Sequence, residues 1–362
     1  MKRYLPILLV IAMIITLTAC DGGGTITNAV ENNINDADIS YSVVQYLGEI
    51  GVSDALGSRR IPYSDITDTA VTQLVEVFEH VTVFGRDGGQ IIDRDFFEAV
   101  ITAEGTRIDY MFGDGTVYTD IVGIMADAPE LSITQAFHNA VEHLHKGERV
   151  LMFLLDGWGW DKFNFHIDSA PFLSSLNPSH ALVAYPPMTP VGLATILTGQ
   201  LPNVHGVHTR SDRRLREGVQ DIFGHAQSEG HTVSYIQGHS GIVQVSITPI
   251  MSPAVDGKYG TDNAIFENAK RNLDAQLLFV HFHGIDDEGH TYGPYAPQVG
   301  ERMALIDGYV RYLVENFGPA TVIITADHGM REITGNPNRL GDHLSISHEE
   351  MIVPYILYQS GR

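Results

Sequence analysis

From residue 150 onward the chain alternates short, almost unbroken apolar runs with longer segments whose apolar positions recur every three or four residues. Runs at 150–155, 181–184, 232–236, 276–281, 321–325 and 352–357 predict buried strands, and 215–228, 262–273 and 299–316 predict helices. Strands without polar alternation must be covered on both sides. The pattern therefore predicts, over 148–362, an α/β layered sheet with helices on both faces. Residues 38–147 are written differently. Acidic, strand-like segments at 81–84, 107–112 and 117–122, Gly-rich turns at Asp87-Gly88-Gly89 and Gly113-Asp114-Gly115, and one helix over 72–79 predict a small N-terminal α+β accessory domain. It carries no chemical motif, and Asp114 and Asp120 fit turn and surface positions.

The chain opens on a basic Met1-Lys2-Arg3 and an apolar run from Leu5 to Leu17, followed by Leu17-Thr18-Ala19-Cys20. The run is short for a bilayer core of about 30 Å, and its ending resembles the bacterial lipobox. Residues 1–19 are thus expected to be a lipoprotein signal peptide and Cys20 the lipidated first residue of the mature chain. The Gly- and Asn-rich stretch 20–37 is expected to be a flexible tether. This places the protein outside the cytoplasm, lipid-anchored to a bacterial membrane. Cys20 is the only cysteine, so the folded part holds no disulfide, thiolate metal cluster or catalytic thiol.

Charge narrows the chemistry further. Of 362 residues, 22 are Lys or Arg and 44 Asp or Glu, a formal net charge of −22 that repels nucleic-acid duplexes from most of the surface. A phosphate-bearing substrate would need local positive charge. Acidic and imidazole side chains gather just beyond the predicted strand ends, where ligands collect in such sheets. These are Asp156-Gly157 after 150–155, Asp286-Asp287-Glu288-Gly289-His290 after 276–281, and Asp327-His328-Gly329 after 321–325. Three carboxylates clustered at one sheet edge would repel unless divalent cations offset them. Thr189, followed by Pro190 and an apolar helical segment, sits at a predicted helix cap, where amides and dipole favour an anionic phosphate.

These blocks, together with Thr198-Gly199, Pro202-Asn203-Val204-His205-Gly206 and Gly341-Asp342-His343, occur in the order seen in the alkaline phosphatase superfamily. They most resemble its nucleotide pyrophosphatase/phosphodiesterase branch, over roughly residues 149–362. The resemblance implies two zinc ions, one held by Asp156, Thr189, Asp327 and His328, the other by Asp286, His290 and His343. Manganese is compatible with the same oxygen and nitrogen donors. His348 competes with His343 for the last position, and Leu344 replaces the glycine that usually follows that ligand. The resemblance further implies in-line attack by Thr189 on phosphorus, a phosphothreonine intermediate and its hydrolysis.

Gly192 stands three residues after Thr189, where that branch carries an asparagine; donors for a non-bridging phosphate oxygen are then sought in Asn203, Arg210 and His239. The run from His281 to Pro294 also resembles phosphoethanolamine transferases of glycolipid-anchor assembly. His281 and His283 fit strand-end packing, and Trp158 and Trp160 suit either a substrate wall or the core. The expected function is a zinc-dependent phosphodiesterase or phosphatase acting on a phosphate-ester small molecule or lipid headgroup. A phosphoethanolamine-type transferase, a phosphonate hydrolase and a non-catalytic metal- or phosphate-binding lipoprotein are the alternatives. A formylglycine sulfatase would need cysteine or serine at 189. A phosphoglycerate mutase would need an inserted domain for which residues 189–286 leave no room.

Overall fold

The computed structural model describes residues 48–253 and 260–361, so the expected signal peptide, Cys20 and the tether lie outside the described residues. Among the described residues no helix is long and apolar enough to cross a membrane.

A seven-stranded sheet organises the larger part. Across it lie Ser179–Leu182, Ile352–Ser360, Ala320–Thr325, Val150–Leu155, Leu277–Phe282, Val233–Gln237 and Ile250–Met251. The five strands from Ala320–Thr325 onward run parallel, while Ile352–Ser360 is antiparallel to its neighbours. Every residue of Val150–Leu155, Leu277–Phe282 and Ala320–Thr325 is buried, which explains their unbroken apolar text. Helices cover both faces, including Gln135–His145, Thr189–Thr198 and Pro297–Phe317.

Two short sheets make up the N-terminal part. One orders Gly57–Pro62, Glu49–Asp54, Ile121–Ala126, Val81–Gly85 and Gln90–Asp93; the other holds Thr69–Ala70, Val100–Glu104, Arg107–Met111 and Val117–Tyr118. They enclose a core of their own around Val52, Phe96 and Tyr110, yet Phe84, Val122 and Met125 belong to the larger core. Polar contacts cross the seam, among them Gln90 Nε2 donating to the Val183 carbonyl at 2.9 Å and Arg60 Nη2 donating to Ser345 Oγ at 3.3 Å. Gly123 packs so tightly against Ile346 that a methyl group there would overlap it.

Three local expectations fail for identifiable reasons. The helix expected over 72–79 is only Val71–Leu74. Beyond it the Glu76 amide is taken by Asp54, and those of Phe78, Glu79 and His80 by Asp127, so the carboxylates replace the helical carbonyls. The single strand expected over 117–122 breaks at Asp120, whose φ of +56° and amide bond to Asp109 send Val117–Tyr118 and Ile121–Ala126 into different sheets. The helix expected over 215–228 is Ile222–Ser228, because Asp221 caps it by accepting the Gly224 amide at 2.9 Å.

Candidate functional site

The carboxyl ends of the parallel strands deliver the site. Asp156 follows Val150–Leu155, Asp327 and His328 follow Ala320–Thr325, and Leu277–Phe282 leads into the helix Gly284–Tyr292. Asp286 and His290 lie four residues apart on that helix and therefore face the same way, with His290 Nε2 3.2 Å from Asp286 Oδ2. Thr189 is the first residue of its helix rather than the cap. Met188, in extended conformation, fills the cap position because its carbonyl accepts the first helical amide, from Gly192. Thr189 Oγ1 lies 3.3 Å from His328 Nε2, and the same nitrogen is 3.5 Å from Asp156 Oδ1 and 3.5 Å from Asp327 Oδ2. All of the first expected ligand set therefore gathers about one nitrogen.

The second set also comes together: ligand atoms of Asp286, His290 and His343 lie within 4.8 Å of one another, as do those of Asp156, Asp286 and His328. Asp286 thus belongs to both clusters. His348 is outside them, half-exposed and 3.0 Å from Asp161.

Backbone carbonyls fix the imidazoles. His290 Nδ1 is 2.8 Å from the Gly341 carbonyl, His328 Nδ1 2.8 Å from the Gly329 carbonyl and His343 Nδ1 2.7 Å from the Pro187 carbonyl. A carbonyl only accepts, so each ring carries a proton on Nδ1 and, when neutral, presents a bare Nε2 to the carboxylates. Asp156 Oδ1, Asp286 Oδ1, Asp327 Oδ2 and His343 Nε2 are buried without a hydrogen-bond partner. Four orphaned donor atoms in one buried acidic cluster are what a site for dications requires, because unpaired buried charge is otherwise costly. The residues fit such ions, and their nitrogen and oxygen chemistry suits zinc.

Titration follows the same crowding. Burial and the neighbouring Asp156 push Asp327 up to about 7. Burial acts on Asp286 in the same direction but is outweighed by His290, His328 and His343, which hold its carboxyl well below the usual range.

Sequence reasoning missed the support for Asp156. His281 Nε2 and His283 Nδ1 lie 3.0 and 3.2 Å from Asp156 Oδ2. His283 Nε2 accepts the Gly238 amide at 3.3 Å, so its Nδ1 carries the proton and donates to Asp156. These histidines orient Asp156 Oδ2 and leave Oδ1 free. A signal was present. His281 lies at the end of Leu277–Phe282 and His283 caps the helix that follows, and the pairing of Leu155 with Phe282 brings Asp156 alongside both. Lys162 was missed as well. It is 1% exposed, its Nζ sits 3.8 Å from Met330 Sδ, and burial lowers it to about 8 against the pull of Asp286, Asp156 and Asp327.

The segment carrying His343 is held by Glu350, whose Oε2 accepts the amides of Leu344 and Ser345 while Oε1 pairs with Arg331 Nε at 2.7 Å. Leu344 has a φ of +141°, a conformation favouring glycine, which gives the glycine usual at this point its physical reason. Gly192 is equally constrained, because a Cβ there would overlap the Asp327 backbone oxygen and lie 2.6 Å from the Asp327 Cβ.

A cavity of about 560 Å³ opens in front of these groups, lined by Asp156, Thr189, Asp286, Arg210, His239 and His283. Of the candidate phosphate donors, Arg210 and His239 reach it; Asn203 does not, and neither Trp158 nor Trp160 lines it.

A family model for type I phosphodiesterase / nucleotide pyrophosphatase matches residues 150–226 and 251–352, the segments that carry every one of these clustered ligands. This region belongs to that family. The chain is 34% identical over 101 residues to human GPI ethanolamine phosphate transferase 3, catalytic subunit, covering 27% of this chain and 9% of that protein. It is 24% identical over 212 residues to human GPI ethanolamine phosphate transferase 2, catalytic subunit, covering 52% and 20%. The matched segments thus span a fifth or less of these curated relatives. Among solved structures, phosphonoacetate hydrolase from Sinorhizobium meliloti 1021 superposes with a TM-score of 0.44 at 18% identity, over 51% of this chain and 57% of that one. Murine ectonucleotide pyrophosphatase / phosphodiesterase 5 gives 0.40 at 18% identity, over 52% and 58%. The family match makes residues 150–226 and 251–352 a phosphoester-handling region.

Proposed function

We propose that the protein hydrolyses phosphate esters by attack of Thr189 Oγ1 on phosphorus, with two divalent ions, zinc by donor chemistry, completing the site. The observation that carries this reading is the meeting of Thr189 Oγ1, at the start of a buried helix, with the bare-nitrogen imidazole of His328 and with orphaned carboxylates, of which Asp156 and Asp286 line the cavity beside Thr189. Asp156, Thr189, Asp327 and His328 would hold one ion and Asp286, His290 and His343 the other, Asp286 being near enough to serve both. Such ions, when bound, lower the pKa of a coordinated hydroxyl and stabilise charge on phosphoryl oxygens. The remaining work belongs to the chain. The helix Thr189–Thr198 meets the cavity at its positive end, through Thr189 and Pro190, Arg210 supplies a cation for a non-bridging oxygen in a strongly acidic protein, and His281 and His283 keep Asp156 aligned. Thr189→Ala should retain its metal content and lose hydrolysis of p-nitrophenyl phosphate and bis-p-nitrophenyl phosphate by at least about 10³-fold. Undiminished turnover in that variant would reject the nucleophile.

The likeness to ethanolamine phosphate transferases supports a second reading, in which an alcohol rather than water accepts the phosphoryl group from Thr189. Product analysis with a lipid or sugar alcohol present separates transfer from hydrolysis. The Leu17-Thr18-Ala19-Cys20 pattern supports attachment to a bacterial membrane through Cys20 on the extracytoplasmic side, which labelling with radioactive palmitate tests against Cys20→Ser.

A further inference from the structure

Far from Thr189, at the amino ends of the same strands, three histidines turn onto one glutamate. The helix Ile222–Ser228 ends at Glu229, after which the Gly230 amide donates to the Gln227 carbonyl and the His231 amide to the Ala226 carbonyl, both at 3.0 Å. Gly230 has a φ of +86°, which completes this helix-ending turn and folds His231 back over the last helical turn. An apolar contact commonly closes such a turn; here His225 and His231 both point at Glu229 instead. His225 Nε2 is 3.3 Å from Glu229 Oε1, and His231 Nε2 is 3.6 Å from Oε2. His145, the last residue of Gln135–His145, brings its Nε2 onto Glu229 Oε1 from a second helix.

Geometry and chemistry agree on a ligand. The donor atoms of His145, His225 and Glu229 lie within 4.8 Å of one another. His225 Nε2 is buried and makes no hydrogen bond, although it faces the carboxylate. Its ring is fixed edge-on against Phe137 at 6.0 Å, so it cannot easily turn away. Imidazole nitrogens with one carboxylate and no sulfur select zinc-class transition dications over magnesium or calcium, which want oxygen. His145 is 53% exposed, so the place is reachable from solvent. Asp156 stands at the other end of a strand of six residues, about 20 Å away at roughly 3.3 Å per residue.

We propose that His145, His225 and Glu229, with His231 alongside, bind one zinc-class dication separate from the catalytic cluster and clasp the end of Gln135–His145 to the turn at 229–231.

The test uses the full chain, loaded with zinc, desalted at micromolar free zinc and assayed for metal by mass spectrometry. His145→Ala/His225→Ala should hold one equivalent less than the unmodified protein while ester hydrolysis stays within about twofold. An Asp286→Ala/His343→Ala/Asp327→Ala/His328→Ala variant, altered only in the catalytic cluster and in both of its ligand sets, should keep one equivalent and still melt at higher temperature when zinc is added, and adding His145→Ala/His225→Ala to it should remove both effects. That second arm stands whether or not the catalytic reading is right. If the double-histidine variant does not fold, Glu229→Gln, which preserves size, should show the same loss of one equivalent. Equal zinc content in either clasp variant and the unmodified protein, or occupancy only at millimolar zinc, would overturn the proposal.

Discussion

Glu350 offers the sharpest test of how the His343 segment is held. It is fully buried, and burial pushes its carboxyl up to about 7 despite Arg331 and the amides of Ser345 and Leu344, which pull it down. Against an ordinary value of 4.5, this separation corresponds to roughly 3 kcal/mol at about 1.4 kcal/mol per pH unit. The sign follows from proton counting. Below pH 4.5 the group is protonated in both folded and unfolded chains and contributes nothing. Between 4.5 and about 7 the folded chain holds a proton that the unfolded chain has released, so stability from this group falls as pH rises and then levels off. Glu350→Gln keeps an acceptor for the two amides and removes the titration. The stability of the unmodified protein minus that of Glu350→Gln should therefore drop by roughly 3 kcal/mol between pH 4.5 and 7.5, read by urea unfolding at several pH values. Taking the difference cancels the other titrating groups. A difference that stays flat, or grows with pH, would show that Glu350 is ionised throughout and would refute the reasoning.

Other outcomes follow from single contacts. Gly192→Ala should destabilise the protein by about 1–3 kcal/mol and lower metal affinity, since the new methyl must displace Asp327 backbone; thermal melting and a zinc titration check this. Arg210→Ala should cut kcat/KM by about 10- to 100-fold, the scale of a charged hydrogen bond, with Arg210→Lys recovering part of it. His348→Ala should leave metal content and turnover unchanged, whereas His343→Ala should lose an ion; identical behaviour of the two would contradict the placement of His343 in the cluster.

Much of the larger sheet was legible because its strands are covered on both sides and so spell out unbroken apolar runs; Val150–Leu155 falls where the pattern put it. The N-terminal strands were harder. There the decisive groups are carboxylates that seize backbone amides, Asp54 and Asp127 above all, and periodicity carries no trace of a bond between residues 22 or 47 positions apart. At the site, side chains next to strand ends were recognisable from their neighbours in sequence. Those arriving from elsewhere were not: the carbonyls of Gly341 and Pro187 that accept from His290 and His343 Nδ1, and Glu350 gripping the loop of His343, are products of three-dimensional closure. Arg210 was one candidate among three until the cavity separated it from Asn203.

The seam between the two parts of the molecule falls at Val183, ahead of Thr189, and at Ser345 and Ile346, just behind His343. The small sheets thus act as a splint across both approaches to the reactive centre. Prising them off would unseat the nucleophile's approach and one arm of the dication cradle together, so cohesion of the halves and alignment of the chemistry amount to one property of the fold.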